Sequence, residues 1–179
     1  MVEKLKEEHN VDVEWRPFYL RPDTPPEGLE LPDYIKRARA NGSEERLLQI
    51  ANTYGMDFVS TERIYNTRLA HEATEYAREH KKANEFHRVV FRKVYADGLD
   101  VSQWDVLRKA AEEVGLDADE MQREVENGKF TANVAEQVHV AQQIGVTGVP
   151  TYVINNRYAI VGAQPYEAFK KALARIAIE

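Results

Sequence analysis

Cysteine is absent from all 179 residues. Disulfides, thiolate metal ligands and thiolate nucleophiles are excluded with it. Long apolar runs are missing too: none approaches the ~18 residues that would suggest a membrane-spanning helix. Met1-Val2-Glu3-Lys4 is not the start of a signal peptide. No Gly-rich phosphate loop and no nucleophile-elbow motif is present. Cationic side chains are in deficit, 24 Lys and Arg against 30 Asp and Glu, for a net charge of −6. That balance argues against a nucleic acid or an anionic membrane as the main partner. The cytoplasm is the expected location, and no cofactor is expected.

What remains is ordinary for a globular protein. Hydrophobic residues make up 43% and charged residues 30% of the chain, enough to bury one sizeable core. The organising stretch is Gly145-Val146-Thr147-Gly148-Val149-Pro150 followed by Thr151-Tyr152-Val153-Ile154. An apolar helical pattern stops at Gly145, where a left-handed C′ residue is expected, with Val146 able to fold back on the last turn. Thr151 to Ile154 reads as a buried strand, Asn155-Asn156 as a tight turn, and Tyr158 to Val161 as the second strand of a hairpin. Pro165 suits the first turn of a closing helix through Ile178. A proline at the mouth of a core strand must sit where the ladder needs no N–H.

Upstream, Met1 to His9 reads as two turns of helix. Val11 to Trp15 alternates with period two, as a strand does, and Arg16 to Leu20 continues extended. Pro22, Pro25, Pro26 and Pro32 punctuate a loop. From Asp33 to Gly128 only helices are expected. Asn66 is a good N-cap for Thr67 to His80, Ser102-x-x-Asp105 reads as a capping box, and Asp117-x-x-Glu120 as another cap. Thr131 to Ile144 feeds the central turn, with Val134, Val138 and Ala141 facing in.

The run G-V-x-G-V-P-T-x-V-I, then a hairpin, then V-G-A-Q-P and an amphipathic helix, resembles the DsbA-like thioredoxin-fold family, in particular its FrnE-like branch. Asn66 to His71, and Val11 to Leu20 with Arg21-Pro22, resemble FrnE-type segments, so the likeness covers nearly the whole chain. It implies an α/β fold: an incomplete thioredoxin-like part over 1–30 and 129–179, interrupted by a large all-helical insertion over 31–128. It implies a cis Val149-Pro150 bond and a substrate-binding loop of Thr147, Gly148, Val149 and Pro150, where Val149 offers its backbone to an extended peptide or a protein thiol or disulfide. It also implies a Cys-x-x-Cys at the start of a first helix, preceded by a first strand. Neither is in this chain, so no catalytic residue is assigned and inactivity in thiol exchange is expected. Val11 to Trp15 would then lack its neighbour in the sheet. Either it pairs directly with Thr151 to Ile154, or a second chain covers the exposed edges as a homodimer; the second is favoured.

Histidine offers the other candidate chemistry. Glu136-x-x-His139 has the spacing of a di-iron helix motif, but it occurs once and such sites need a pair, so it reads as a solvated helix face and no metal is expected. His71 lies one turn after Asn66 and is a candidate for lining the cleft, with ordinary helix packing as the alternative; Asn66 reads mainly as a cap. Phe86, Phe91, Tyr95 and Trp104 at helical spacing read as core. Two further functions remain open. A glutathione-dependent isomerase or kappa-class transferase relative shares the fold, but those usually carry a Trp-Gly-x-Asp-Arg type segment where this chain has Gly162-Ala163-Gln164-Pro165. A non-catalytic module that holds an extended peptide beside Pro150 is the other.

Overall fold

Glycines in the left-handed region follow several helices here, so the chain is cut into short segments. The computed structural model describes residues 2–53 and 55–176, the side chain of Glu3 excepted. In chain order the segments are α1 (Val2–Glu8), β1 (Leu29–Glu30), α2 (Asp33–Ala40), α3 (Ser43–Thr53), β2 (Arg63–Ile64), α4 (Arg68–Glu79) and α5 (Ala83–Tyr95). They continue with α6 (Trp104–Glu113), α7 (Ala118–Glu126), α8 (Thr131–Gln143), β3 (Thr151–Ile154), β4 (Tyr158–Val161) and α9 (Tyr166–Ile176). The expected end of the last helix at Ile178 lies outside the described residues, as does Met1 at the start of the first. The chain forms two compact units, Met1–Leu20 with Gln137–Glu179, and Arg21–Glu136.

In the larger unit, α4 to α7 pack around a core of small and aromatic side chains. Ala73, Tyr76, Ala77, Phe86, Leu107, Ala110, Ala111 and Met121 are fully buried within it. Ala70, Ala73 and Ala77 recur at helical spacing along α4, which lets neighbouring helices approach closely. Asp117 caps α7 as expected, its carboxylate accepting from the Glu120 N–H at 2.9 Å, and Gly128 closes that segment in the left-handed region.

Four expectations fail here. Ser102 does not cap α6: its N–H and hydroxyl both bind the Asp100 carboxylate, at 2.9 and 2.7 Å, which commits the side chain upstream. Within the block expected to be all helix, β2 pairs antiparallel with β1, Leu29 opposite Ile64 and Glu30 opposite Arg63. Phe91 and Tyr95, expected in the core, are each 48% exposed. They sit on the outer side of α5, opposite Phe86 and Val90, in ring contact with each other and with His87 and Phe58. Leu47 and Leu48 on α3, expected to form a packed side, are also exposed; only Ala51 of that helix is buried.

In the smaller unit, β3 and β4 form a hairpin with Thr151 opposite Val161 and Ile154 opposite Tyr158. Asn155 and Asn156 have φ of +51° and +53°, which only a turn with left-handed central residues requires and which asparagine tolerates. Arg157 closes the turn, its N–H donating to the Ile154 carbonyl at 3.0 Å. Among the described residues of this unit, Leu5, Val138 and Phe169 are the buried apolar side chains. Arg16 ties the extended segment down, donating to Gln137 at 3.0 Å and to Glu14 at 2.8 Å. Val11 to Trp15, expected as a strand, joins no ladder among the described residues. The period-two pattern signals an extended backbone, whereas a strand also needs a partner's N–H and C=O groups. Direct pairing with β3 is not adopted either, since among the described residues β3 is bonded to β4 alone.

Candidate functional site

The site is built by the exit from α8. Gly145 takes φ +82°. Its N–H donates to the Gln142 carbonyl at 3.0 Å, and the Val146 N–H reaches back to Ala141 at 2.9 Å. These two bonds satisfy carbonyls the helix end would otherwise leave open, and they throw the chain sharply away from the helix axis. Thr147 to Pro150 then crosses to β3 without regular structure. The Val149-Pro150 peptide is cis. Thr151 donates its hydroxyl to the Gly148 carbonyl at 2.7 Å, and the Pro150 carbonyl accepts from the Gly162 N–H at 2.8 Å. Proline thus enters the hairpin with its carbonyl used and no donor missing.

Val149 is the open point of this loop. The residue is 51% exposed. Neither its N–H nor its C=O makes a hydrogen bond among the described residues. Behind the loop, Tyr152 meets Phe169 of α9 edge to face, ring centroids 4.7 Å apart. Phe169 is 2% exposed, so this pair anchors β3 to the closing helix. Sequence reasoning missed the pair. Its signals were the alternate position of Tyr152 in the strand and Phe169 on the apolar side of α9.

Asn66 and His71 belong to the larger unit. The Asn66 carbonyl oxygen accepts from the Arg68 N–H at 2.9 Å and its amide donates to the Thr24 carbonyl at 2.6 Å. The N-cap position of α4 is Thr67, with no side-chain cap bond, so Asn66 is not the N-cap expected; one residue earlier it makes an Asx turn into the helix and pins the proline-rich loop to it. His71 is one turn on, its Nε2 3.3 Å from the Thr67 hydroxyl. Burial, with the charge of His87 as a lesser cause, holds its pKa down to about 4. An imidazole so held is neutral at pH 7. Glu136 and His139 are exposed on α8, and His139 meets the Gln143 amide at 2.9 Å.

A hairpin entered through a proline loop, closed by a helix and accompanied by a separate helical block, defines a thioredoxin-like protein. The chain belongs to the DSBA-like thioredoxin domain family, whose profile matches residues 1–174. It is 30% identical over 169 residues to protein YwbO of Bacillus subtilis (strain 168), covering 92% of this chain and 82% of that one. Among solved structures it is similar to a "probable DsbA oxidoreductase" of Streptomyces coelicolor, at 26% identity and a TM-score of 0.82, over 92% of this chain and 74% of that one. A 2-hydroxychromene-2-carboxylate isomerase shares the fold, at 19% identity and a TM-score of 0.80, over 98% of this chain and 86% of the isomerase.

Proposed function

We propose that this chain is a relative of FrnE-like thiol-disulfide oxidoreductases that holds an extended peptide beside Pro150 and, having no thiol, performs no exchange itself. The observation that carries the reading is Val149, exposed at the mouth of β3 with its N–H and C=O open. Those two groups, the exposure of the residue and the lack of charge from Thr147 to Thr151 suit an extended peptide bonded through its backbone. Family membership supports the same assignment. Exchange needs a thiolate attacking a disulfide sulfur, and no residue in the chain offers one. The cleft-lining role of His71 and a cytoplasmic location belong to the same reading.

The test has two arms. Insulin reduction by the purified, mass-verified chain should stay at background; turnover above it would overturn the inactive reading. An uncharged extended peptide titrated into the chain should slow exchange of the Val149 amide. An amide that exchanges at the same rate at saturating peptide would remove the binding role.

A further inference from the structure

Alternation along the hairpin decides what α9 meets. Tyr152 touches Phe169, so its side of the hairpin faces α9. Ile154 shares that face two residues on, and Ile160 and Tyr158 share it as the cross-strand partners of Tyr152 and Ile154. Along α9, Phe169, Ala172 and Ile176 recur at helical spacing. Phe169 fills the space against Tyr152, but one turn later the side chain is only a methyl group. Ile154, Ile160, Ala172 and Ile176 are left half-buried, around a groove of about 450 Å³ that they line with Tyr158. Small-molecule sites are commonly ~300–1,000 Å³. The groove lies wholly within the smaller unit, and neither the loop from Thr147 to Pro150 nor Thr151 and Val153 on β3 forms part of its wall.

The rim of this groove carries charge of one sign. Lys171 and Arg175, one turn apart on α9, both line it, and no acidic residue does. Arg157 lies over the Tyr158 ring, 5.3 Å from its centroid, and adds a third cation beside them. Among the described residues neither Lys171 nor Arg175 has an ion-pair or hydrogen-bond partner, and Glu167 of the same helix is engaged by Lys170 at 3.8 Å. The field of a helix C-terminus accounts for a cation in its last turn and fades beyond it. Arg175 stands in that turn, whereas Lys171 does not. An apolar floor with unpaired cations along one side complements a molecule that is apolar along its length and anionic at one end. We propose that the groove binds a single-tailed aliphatic carboxylate, its chain on Ile154, Ile160, Ala172 and Ile176 and its carboxylate between Lys171 and Arg175. The site shares no residue with the loop at Val149, so either can fail alone.

Decanoate is the probe. Titrated into the chain at pH 7, it should shift the amide signals of Ile160 and Ala172 to saturation. Octanoate, two methylenes shorter, should bind roughly tenfold more weakly if its chain lies on the apolar floor. Lys171→Gln together with Arg175→Gln should weaken decanoate roughly tenfold while leaving decanol, which has the same chain and no charge, unchanged. Ala172→Leu, which fills the floor, should remove saturable binding of both in a chain whose other amide signals stay in place. No saturable shift at Ile160 and Ala172 would overturn the proposal. Equal affinity for octanoate and decanoate would reduce the effect to ion pairing at the rim and overturn it as well. So would equal losses of decanoate and decanol in the double variant, since the cations would then not be reading the carboxylate. A doubled mass in light scattering that Ala172→Lys abolishes would give the groove to a second copy of the chain instead.

Discussion

His71 and His87 carry the clearest single-residue consequence. Burial holds each at a pKa of about 4, with a lesser contribution from His87 at His71 and from Arg88 at His87. The unfolded value is 6.5. Above it both states are neutral and pH has no hold through these groups. Between 6.5 and 4 the unfolded chain binds protons that the folded chain refuses, so stability falls as pH falls through this window. A tenfold difference in proton affinity between the two states corresponds to about 1.36 kcal/mol. Denaturant midpoints at pH 7 and pH 5 should differ, and replacing both histidines by glutamine should shrink that difference; an unchanged difference would trace the pH dependence elsewhere. Glu72 is a buried carboxylate held by its partners. It is 1% exposed, and accepts from Arg68 at 3.0 and 3.1 Å and from the Thr131 hydroxyl at 3.0 Å. Arg68→Ala should destabilise by about 1–3 kcal/mol, since the carboxylate loses most of its compensation in the protein interior. Thermal unfolding should show it, and Glu72→Gln in the same chain should recover part of the loss.

Among elements, the two glycines that matter differ in what surrounds them. At Gly145 an added Cβ would meet nothing within 4 Å, but the residue holds φ +82°. Gly145→Ala should cost only the backbone term, roughly 1–2 kcal/mol. Gly28 has φ +76°, and a Cβ there would stand 2.5 Å from the Ile64 carbonyl oxygen. Gly28→Ala must also push β1 away from β2, so its denaturant midpoint should fall further than that of Gly145→Ala. Equal losses would mean the ladder yields freely. Gly145 was legible in the sequence because an apolar helical pattern stopped on it, and Asp117 because Asp117-x-x-Glu120 has the spacing of a cap. The ladder containing Ile64 was not, because two residues carry no periodicity and their partner lies far away in sequence. Ser102 misled because Asp100, two residues back, competes for the same hydroxyl. The outward turn of Phe91 and Tyr95 on α5 depends on which face the neighbouring helices cover, and a helical period alone cannot say which. For the site, Gly145 through Ile154 was readable as turn, loop and strand, while the open backbone of Val149 was implied by the family resemblance and not by the residues alone.

Across the whole molecule, burial is unevenly shared. The contiguous core, from Ala70 to Phe130, lies entirely in the larger unit. The smaller unit buries Leu5, Val138 and Phe169, and its sheet is a two-stranded hairpin. A lone hairpin is marginal in water without a packed face, and here the Tyr152–Phe169 contact is its main anchor. Local opening free energies follow buried apolar contact, and regions with little of it open below the global unfolding limit. Native-state hydrogen exchange in rising denaturant should therefore separate the chain. Amides in the middle of α4, α6 and α7 should exchange only through global unfolding, with rates that climb steeply with denaturant. Those of Tyr152, Ile160 and the central turn of α9 should exchange through smaller openings that denaturant barely accelerates. Phe169→Ala should bring the hairpin amides close to unprotected rates while α4, α6 and α7 keep theirs. If the variant lowered protection equally in both units, the hairpin would be part of the same cooperative structure as the helical core, and the small apolar set around Phe169 would not be what limits it.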